Sequence, residues 1–321
     1  MDRTFVLALV MLVAVGSAGG PASAREVVTA AYLDDPTRDM VLYALTEGII
    51  TSRSVEVKFS FLPLAAAVEA FQFKRYDLIE ASPMAVAGGA ARGFRILIFS
   101  AALENRNGTL LFVAADSPVR DPRELRGRTI ALASLGGTFA LETRFVLQDA
   151  YGLNTDPQGG DVRFVEMGPD AIPALLRAGR IDAGVLLHLP AYFTARSRDF
   201  RTLLEVTREF TKRLGSLSMN SVVVTYPEVV ARKGGALREV RQLLQESNAY
   251  AKQHMQRVSE AVAKKRRIDP AYLQWWWGHY DYANGSLTEA HKREIHNVWT
   301  AAHRIGMLRA VPDVNELSVK E

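Results

Sequence analysis

Residues 121–138 read DPRELRGRTIALASLGGT, and residues 162–183 read VRFVEMGPDAIPALLRAGRIDA. In the first stretch, Asp121-Pro122 opens a short helical turn, with proline at the first helical position where its missing N–H costs nothing. Thr129–Ala133 is an apolar run of strand length. Ser134–Thr138 is a loop of small residues leading into the helical stretch Phe139–Tyr151. In the second, Val162–Val165 reads as a strand, Pro169–Ala178 as a helix and Ala183–Leu187 as a strand. Strands that alternate with helices in this way build βαβ units around a parallel sheet.

The same alternation runs back toward the N-terminus. Val27–Tyr32 is a strand, and Arg38–Ile50 places Val41, Leu42, Leu45 and Ile49 at helical spacing. Val55, Val57, Phe59 and Phe61 alternate on one face of a half-buried strand. Leu64–Lys74 is helical, and Tyr76–Ala81 is a short strand ending at Ser82-Pro83, where the proline suits a helix start. Phe94–Ala101 and Thr109–Ala115 are further apolar runs. After a strand at Ser221–Thr225 the chain turns mostly helical, at Leu237–Lys265, Pro270–Trp277 and Glu289–Ile305. Asp269-Pro270 marks one helix start and Ser286-x-x-Glu289 reads as a capping box for another. There is no internal repeat and no flexible linker. The chain reads as two halves, the second beginning near Ser117. Extended strands near Thr109–Ala115 and Ser216–Thr225 would join them.

The first 24 residues read differently. Arg3 precedes the apolar run Phe5–Val15, helix-breaking glycines follow, and Ala22-Ser23-Ala24 is a small-x-small cleavage site. This is the layout of a secretory signal peptide. The run is too short for a membrane span, which needs about 18 or more apolar residues. Cysteine is absent, which excludes a disulfide framework, a thiolate metal site and a cysteine nucleophile. Hydrophobic residues at 48% fit a globular protein. The net charge of +4 is mild, and its one cluster, Lys264-Lys265-Arg266-Arg267, reads as the solvated end of a helix and not as a nucleic-acid patch.

The two quoted stretches resemble the alkanesulfonate, taurine, nitrate and thiamine-precursor family of solute-binding proteins of ABC transporters. Leu125-Arg126-Gly127-Arg128-Thr129-Ile130-Ala131 is similar to that family's entry to its second lobe. Pro169-Asp170-Ala171 through Gly179-Arg180-Ile181-Asp182-Ala183 is similar to a second family segment, and Phe71–Met84 to a third, with Arg75 where a glycine is usual. The resemblance implies an α/β, type II-like periplasmic-binding-protein fold of two lobes, residues 25–114 with 222–321 and residues 115–221, each a mostly parallel sheet flanked by helices, with a ligand cleft between the lobes. It also implies a periplasmic protein that passes a small, anionic organic solute, sulfonate or carboxylate, to an inner-membrane permease with its cytoplasmic ATPase. On this reading the protein is a monomer that uses no cofactor and no metal and is not an enzyme.

Ligands of open α/β sheets sit beyond the carboxyl ends of the strands, at helix N-termini. That places the expected ligand contacts at Tyr32, at Ser82 and Pro83, and at Ser134, Gly136, Gly137, Thr138 and Phe139. In the last group the free N–H groups of a helix start favour an anion. His188 follows the strand Ala183–Leu187, and Asn107 lies in the polar segment between the lobes. Trp275-Trp276-Trp277 reads as core packing, since adjacent helical residues face different ways. His291, His296 and His303 do not have the i, i+4 spacing of a helical zinc site. Two alternatives stay open, an exported sensor for a signalling receptor and a pyrimidine-synthase-like enzyme. The sequence carries no Gly-x-Ser-x-Gly elbow, P-loop or zincin motif.

Overall fold

The computed structural model describes residues 24–320. The signal-peptide reading therefore lies outside the described residues but for Ala24. The outgoing half of the first lobe runs β1 (Glu26–Leu33), α1 (Pro36–Val41), α2 (Tyr43–Thr46), β2 (Val55–Leu62), α3 (Leu64–Gln72), β3 (Leu78–Ala81), α4 (Pro83–Ala91) and β4 (Leu97–Asn105). The second lobe follows as β5 (Leu110–Ala114), a 3-10 turn, β6 (Thr129–Leu132), α5 (Thr138–Tyr151), β7 (Arg163–Glu166), α6 (Ile172–Arg177), β8 (Ala183–Leu186), α7 (His188–Arg196), β9 (Phe200–Glu205) and α8 (Val206–Leu214). The chain then returns to the first lobe as β10 (Ser218–Thr225), α9 (Pro227–Gln253), α10 (Met255–Arg266), α11 (Pro270–His279), β11 (Tyr280–Tyr282) and α12 (Glu289–Arg304).

One sheet has the order β11-β4-β10-β3-β1-β2 and the other β7-β6-β8-β5-β9. Both are mixed. In the first, β1 pairs in parallel with β2 and β3, while β10 runs antiparallel to β3 and β4. In the second, β6 is parallel to β7 and β8, and β5 is antiparallel to β8 and β9. The strands that run against their sheets are β10 and β11 in the first and β5 in the second, and β5 and β10 are the strands that follow the two lobe crossings. This is the type II periplasmic-binding-protein architecture, with each sheet less parallel than the βαβ reading implied.

The sheets also move the lobe boundaries. β5 belongs to the second sheet and β10 to the first, so the crossings fall at residues 106–109 and 206–217 instead of at 114/115 and 221/222. Each crossing is short, and neither is a strand shared by both lobes. One is a loop and the other carries α8.

Several elements differ from the periodicity reading for local reasons. The stretch 38–50 breaks at Leu42 into two short helices; Val41 and Leu42 are fully buried while Ile49 is exposed. The long helix begins ten residues earlier than expected, at Pro227, and bends at Lys233, whose ammonium reaches the Val27 carbonyl (2.6 Å) and Asp77 (2.8 Å). It stops at His254, where α10 takes over. The capping box of α12 is Thr288 with His291, not Ser286 with Glu289: the Thr288 hydroxyl accepts the His291 N–H. Asp269 and Ser82 cap α11 and α4 as their sequences imply. Of the basic run, Arg266 is only part-exposed and pairs with Asp39 and Asp34, so it ties α10 to the start of α1.

The main core is continuous across both lobes. Val222, Val223 and Val224 of β10 are fully buried in the centre of the first sheet. Burying each such side chain contributes about 1.5–3 kcal/mol. A smaller cluster around Phe112, Ile172, Leu176 and Leu186 fills the far side of the second sheet.

Candidate functional site

Both lobes send strand ends to one place. At the end of β1, Asp35 caps α1, its carboxylate accepting the Thr37 N–H at 2.8 Å. One turn on, Arg38 is buried and makes a two-pronged ion pair with Glu80 of β3, Nε to Oε2 at 3.0 Å and Nη2 to Oε1 at 2.6 Å. Ser221 donates its hydroxyl to Glu80 at 2.6 Å and Leu33 its N–H at 3.3 Å. Burial alone would raise the Glu80 carboxyl; Arg38 first, then Ser221 and Leu33, hold it below the ordinary carboxylate range. Asp35 behaves alike: burial acts to raise it, and His188, Arg38 and Thr37 bring it below its usual value.

His188 comes from the second lobe. It begins α7 directly after β8 and adopts φ +52°, a left-handed conformation that is strained for a side chain with a Cβ. Such strain persists where surrounding structure fixes it, commonly at functional sites. Its ring stacks on Tyr280 of the first lobe, with centroids 4.8 Å apart and planes 20° apart. Tyr280 in turn stacks on Trp276 at 5.4 Å and 16°. The Trp276 indole N–H donates to His188 Nδ1 at 3.2 Å, and the Tyr280 hydroxyl accepts the His188 backbone N–H at 3.4 Å while donating to the Gly108 carbonyl at 2.8 Å. Gly108 has to be glycine, since a Cβ there would lie 1.8 Å from the Tyr280 ring. Packed among these rings, the imidazole is pushed down to about 4, mainly by burial and against the pull of Asp35, so it is neutral near pH 7. Nδ1 accepts from Trp276, so the proton sits on Nε2, which has no hydrogen-bond partner among the described residues.

The expected contacts divide into two groups. Tyr32 and His188 belong to this cluster; Tyr32 is fully buried and donates to Asn284 Oδ1 at 3.1 Å. The Ser82 hydroxyl is taken up by the Ala85 N–H at 3.0 Å, and the Pro83 carbonyl accepts from the Trp299 indole at 2.9 Å, so both serve the fold of α4. Asn107 donates to Glu205 at 3.2 Å, bridging the two crossings.

The Ser134–Phe139 loop makes some bonds of its own, while the N–H groups of Gly137, Thr138 and Phe139 at the start of α5 have no hydrogen-bond partner among the described residues. The Leu135 N–H donates to Glu166, a carboxylate of the protein itself, and Ser134 accepts from Gly136. Phe139 lies over Gly137, where a Cβ would come within 2.6 Å of its ring. Thr138 is buried and donates to the Asn220 carbonyl of the first lobe at 3.4 Å.

Asp35, Arg38, Glu80, Tyr280 and Asn284 were not singled out from the sequence, and Trp276 was read only as core. Trp276 is fully buried, in keeping with that reading, and yet also touches His188. The signal for Asp35 is present: Asp35-Pro36 after a strand is the same cap-then-proline pattern as Ser82-Pro83. Two surface hollows, of about 270 Å³ beside Pro190 and Phe193 and about 790 Å³ between α12 and residues 313–315, lie on other faces.

Comparison with known proteins bears on this arrangement. A family model described as menaquinone biosynthesis matches residues 29–296. No curated protein matches the chain in sequence. Among solved structures, the periplasmic aliphatic sulphonate binding protein SsuA from Escherichia coli is similar at 14% identity, with 92% of this chain and 93% of that one covered and a TM-score of 0.71. The alkanesulfonate-binding protein SsuA from Xanthomonas axonopodis pv. citri, bound to MOPS, is similar at 16% identity, covering 93% and 100%, with a TM-score of 0.71. A ligand-binding component of an ABC-type import system from Staphylococcus aureus is similar at 13% identity, covering 92% and 97%, with a TM-score of 0.68. At these identities the likeness establishes the fold.

Proposed function

The chain belongs to the menaquinone-biosynthesis family, and from that premise we propose that it is an exported ligand-binding protein of this family. It captures a small organic molecule between its lobes and hands it to a membrane importer without transforming it. The alkanesulfonate-type resemblance holds at the level of the fold, which the sulfonate-binding proteins share. The observation that carries the proposal is the His188–Tyr280 stack. It is a contact between lobes, formed at strand ends and beside two short crossings, so parting the lobes opens the site and closing them buries it. The apolar run and cleavage site at the N-terminus support export.

Two measurements test this. N-terminal sequencing of secreted protein should find Arg25 first; a product retaining Phe5–Val15 would rule out the cleaved signal. A thermal-shift screen of the purified chain against organic acids, amines and heterocycles should find a stabilising ligand. That ligand should also reduce the radius of gyration in solution scattering and be recovered unchanged.

A second reading, an enzyme acting on an intermediate of the menaquinone pathway, is favoured by the family match and by one feature of the site. A neutral His188 close to an ionised Asp35 sets two proton acceptors side by side, either of which could take a proton from a bound molecule. Conversion of a bound pathway intermediate, lost in His188→Gln with binding retained, would select this reading over transport.

A further inference from the structure

Resting on the cleft reading above, we infer that the ligand is a flat ring bearing N–H donors, neutral or singly cationic, which stacks on Tyr280 and presents its donors to Asp35. The inference departs from the anion expected from the sequence, and three observations carry it.

The first is charge. Asp35 and Glu80 each bring one negative charge to the cluster, Arg38 brings one positive charge, and His188 brings none. Arg38 gives Glu80 two hydrogen bonds and stands 3.8 Å from Asp35, so one guanidinium serves two carboxylates. On the crossing side, Arg106 and Lys252 are both held by Asp281. An incoming anion would be desolvated beside a cluster that carries one net negative charge, which is unfavourable. A cation or an N–H donor would be attracted there.

The second is shape. His188 and Trp276 both lie near-parallel to the Tyr280 ring and are hydrogen-bonded to each other, with the lobe boundary between His188 and the other two. In the closed cleft the imidazole of His188 covers the Tyr280 face. When the lobes part, His188 leaves with the second lobe, and a planar ring can enter on the Tyr280 face before the lobes close over it. His188 is itself a planar nitrogen ring, so it models the kind of group this surface accepts.

The third is the set of buried polar atoms with no partner around Arg38. The Tyr272 hydroxyl and Asn284 Nδ2 are fully buried and unbonded. Asn284 Oδ1 is used by Tyr32, and Tyr272 lies within electrostatic reach of Asp35 and Arg38. Buried donors without partners are costly and rare. They offer hydrogen bonds to an acceptor on the same ligand.

Benzamidinium, benzamide and benzoate have nearly the same shape and differ in charge, so the purified chain can be titrated with all three by calorimetry and indole fluorescence. Benzamidinium and benzamide should bind, with benzamidinium at least about tenfold tighter than benzoate, the difference between a charge-assisted hydrogen bond and an unfavourable contact. Asp35→Asn keeps a good helix cap and should cut benzamidinium affinity about tenfold while leaving benzamide within about twofold. Benzoate binding as tightly as benzamidinium, or no binding by any of the three, would overturn the inference. The cleft reading has its own separate criterion: it falls only if no compound of a broad panel, these three included, contracts the protein in solution.

Discussion

Glu142, a fully buried carboxyl on α5 of the second lobe, accepts a hydrogen bond from the hydroxyl of Ser218, the first residue of β10 in the first lobe. Thr207, in the same crossing, donates to its other oxygen at 2.9 Å and also accepts the Thr109 N–H from the opposite crossing at 3.2 Å. Asn105 then links Thr109 to Gly108, whose carbonyl takes the Tyr280 hydroxyl. A single buried acid therefore anchors both crossings, and a short chain of hydrogen bonds runs from it to the ring that His188 covers.

Removing that anchor takes the acceptor from two buried hydroxyls, those of Thr207 and Ser218. Glu142→Ala should destabilise the protein by about 2–4 kcal/mol, the sum of one or two orphaned groups. Urea unfolding measures it through a lower midpoint. Since Glu142 touches no expected ligand contact, whatever binds the cleft should lose affinity only through a changed closing equilibrium. A stability equal to that of the parent would show that water replaces the carboxylate at no cost.

His188 makes the closed state sensitive to acid. Its folded value of about 4 lies below the ordinary 6.5, so the folded protein favours the neutral ring. The stability this contributes is fully present above about pH 6.5 and is lost as pH falls toward 4. Between those limits His188→Gln should take up about one proton fewer on unfolding than the parent. Parallel denaturation curves at pH 7, 6, 5 and 4 decide it: equal pH slopes in the two proteins would mean that His188 titrates normally.

The legible part of this molecule was its alternation. β1, β2, β6, α5 and β8 are where their apolar spacing puts them, because each buries one face against a sheet and the pattern records that face. What was missed is non-local. Nothing in the composition of residues 188–216 separates α7, β9 and α8, and β11 is three residues long and exists only because Tyr280–Tyr282 finds Asn105–Leu103. The cluster itself was half legible. His188 stood out by following a strand, but its partners lie about 90 residues away in sequence, in a stretch that reads as aromatic core. Charge was the least visible feature: Arg38 looks like a surface residue of a helix until Glu80 is placed beside it.

Glu294 on α12 offers a test far from the cleft. It is buried, and one of its oxygens has no partner among the described residues. Burial, and after it the neighbouring Glu104 of β4, push its carboxyl up to about 8, with Arg293 acting weakly the other way. Glu104 itself takes the Nε2 of His291 at 3.4 Å. Because the folded value lies above the ordinary 4.5, the stability Glu294 provides is present below about pH 4.5 and is lost as pH rises to 8. Glu294→Gln removes that loss. The variant should melt several degrees above the parent at pH 8 and no higher at pH 4.5. Equal melting temperatures at pH 8 would show that the carboxyl ionises without penalty.

The Arg38–Glu80 pair is buried on both sides, and its energetics are asymmetric. Taking two charges out of water costs several kcal/mol per ion, which the mutual attraction and the extra donors from Ser221 and Leu33 offset. Neutralising one partner removes the offset and keeps the cost. Glu80→Gln should therefore destabilise the protein by about 3–5 kcal/mol, because Arg38 stays buried and charged. Replacing both, as Arg38→Met with Glu80→Gln, removes the stranded charge and leaves an amide whose single oxygen accepts from Leu33 while its N–H can donate to the Ser221 hydroxyl. That double variant should be more stable than Glu80→Gln alone, though Asp35 then loses Arg38 as a neighbour and the cluster becomes poorer in positive charge. Urea midpoints of the parent, the two single variants and the double variant close the cycle. If Glu80→Gln costs no more than the double variant, Arg38 must find solvent when unpaired, and the pair is then a surface bridge and not the floor of a buried site.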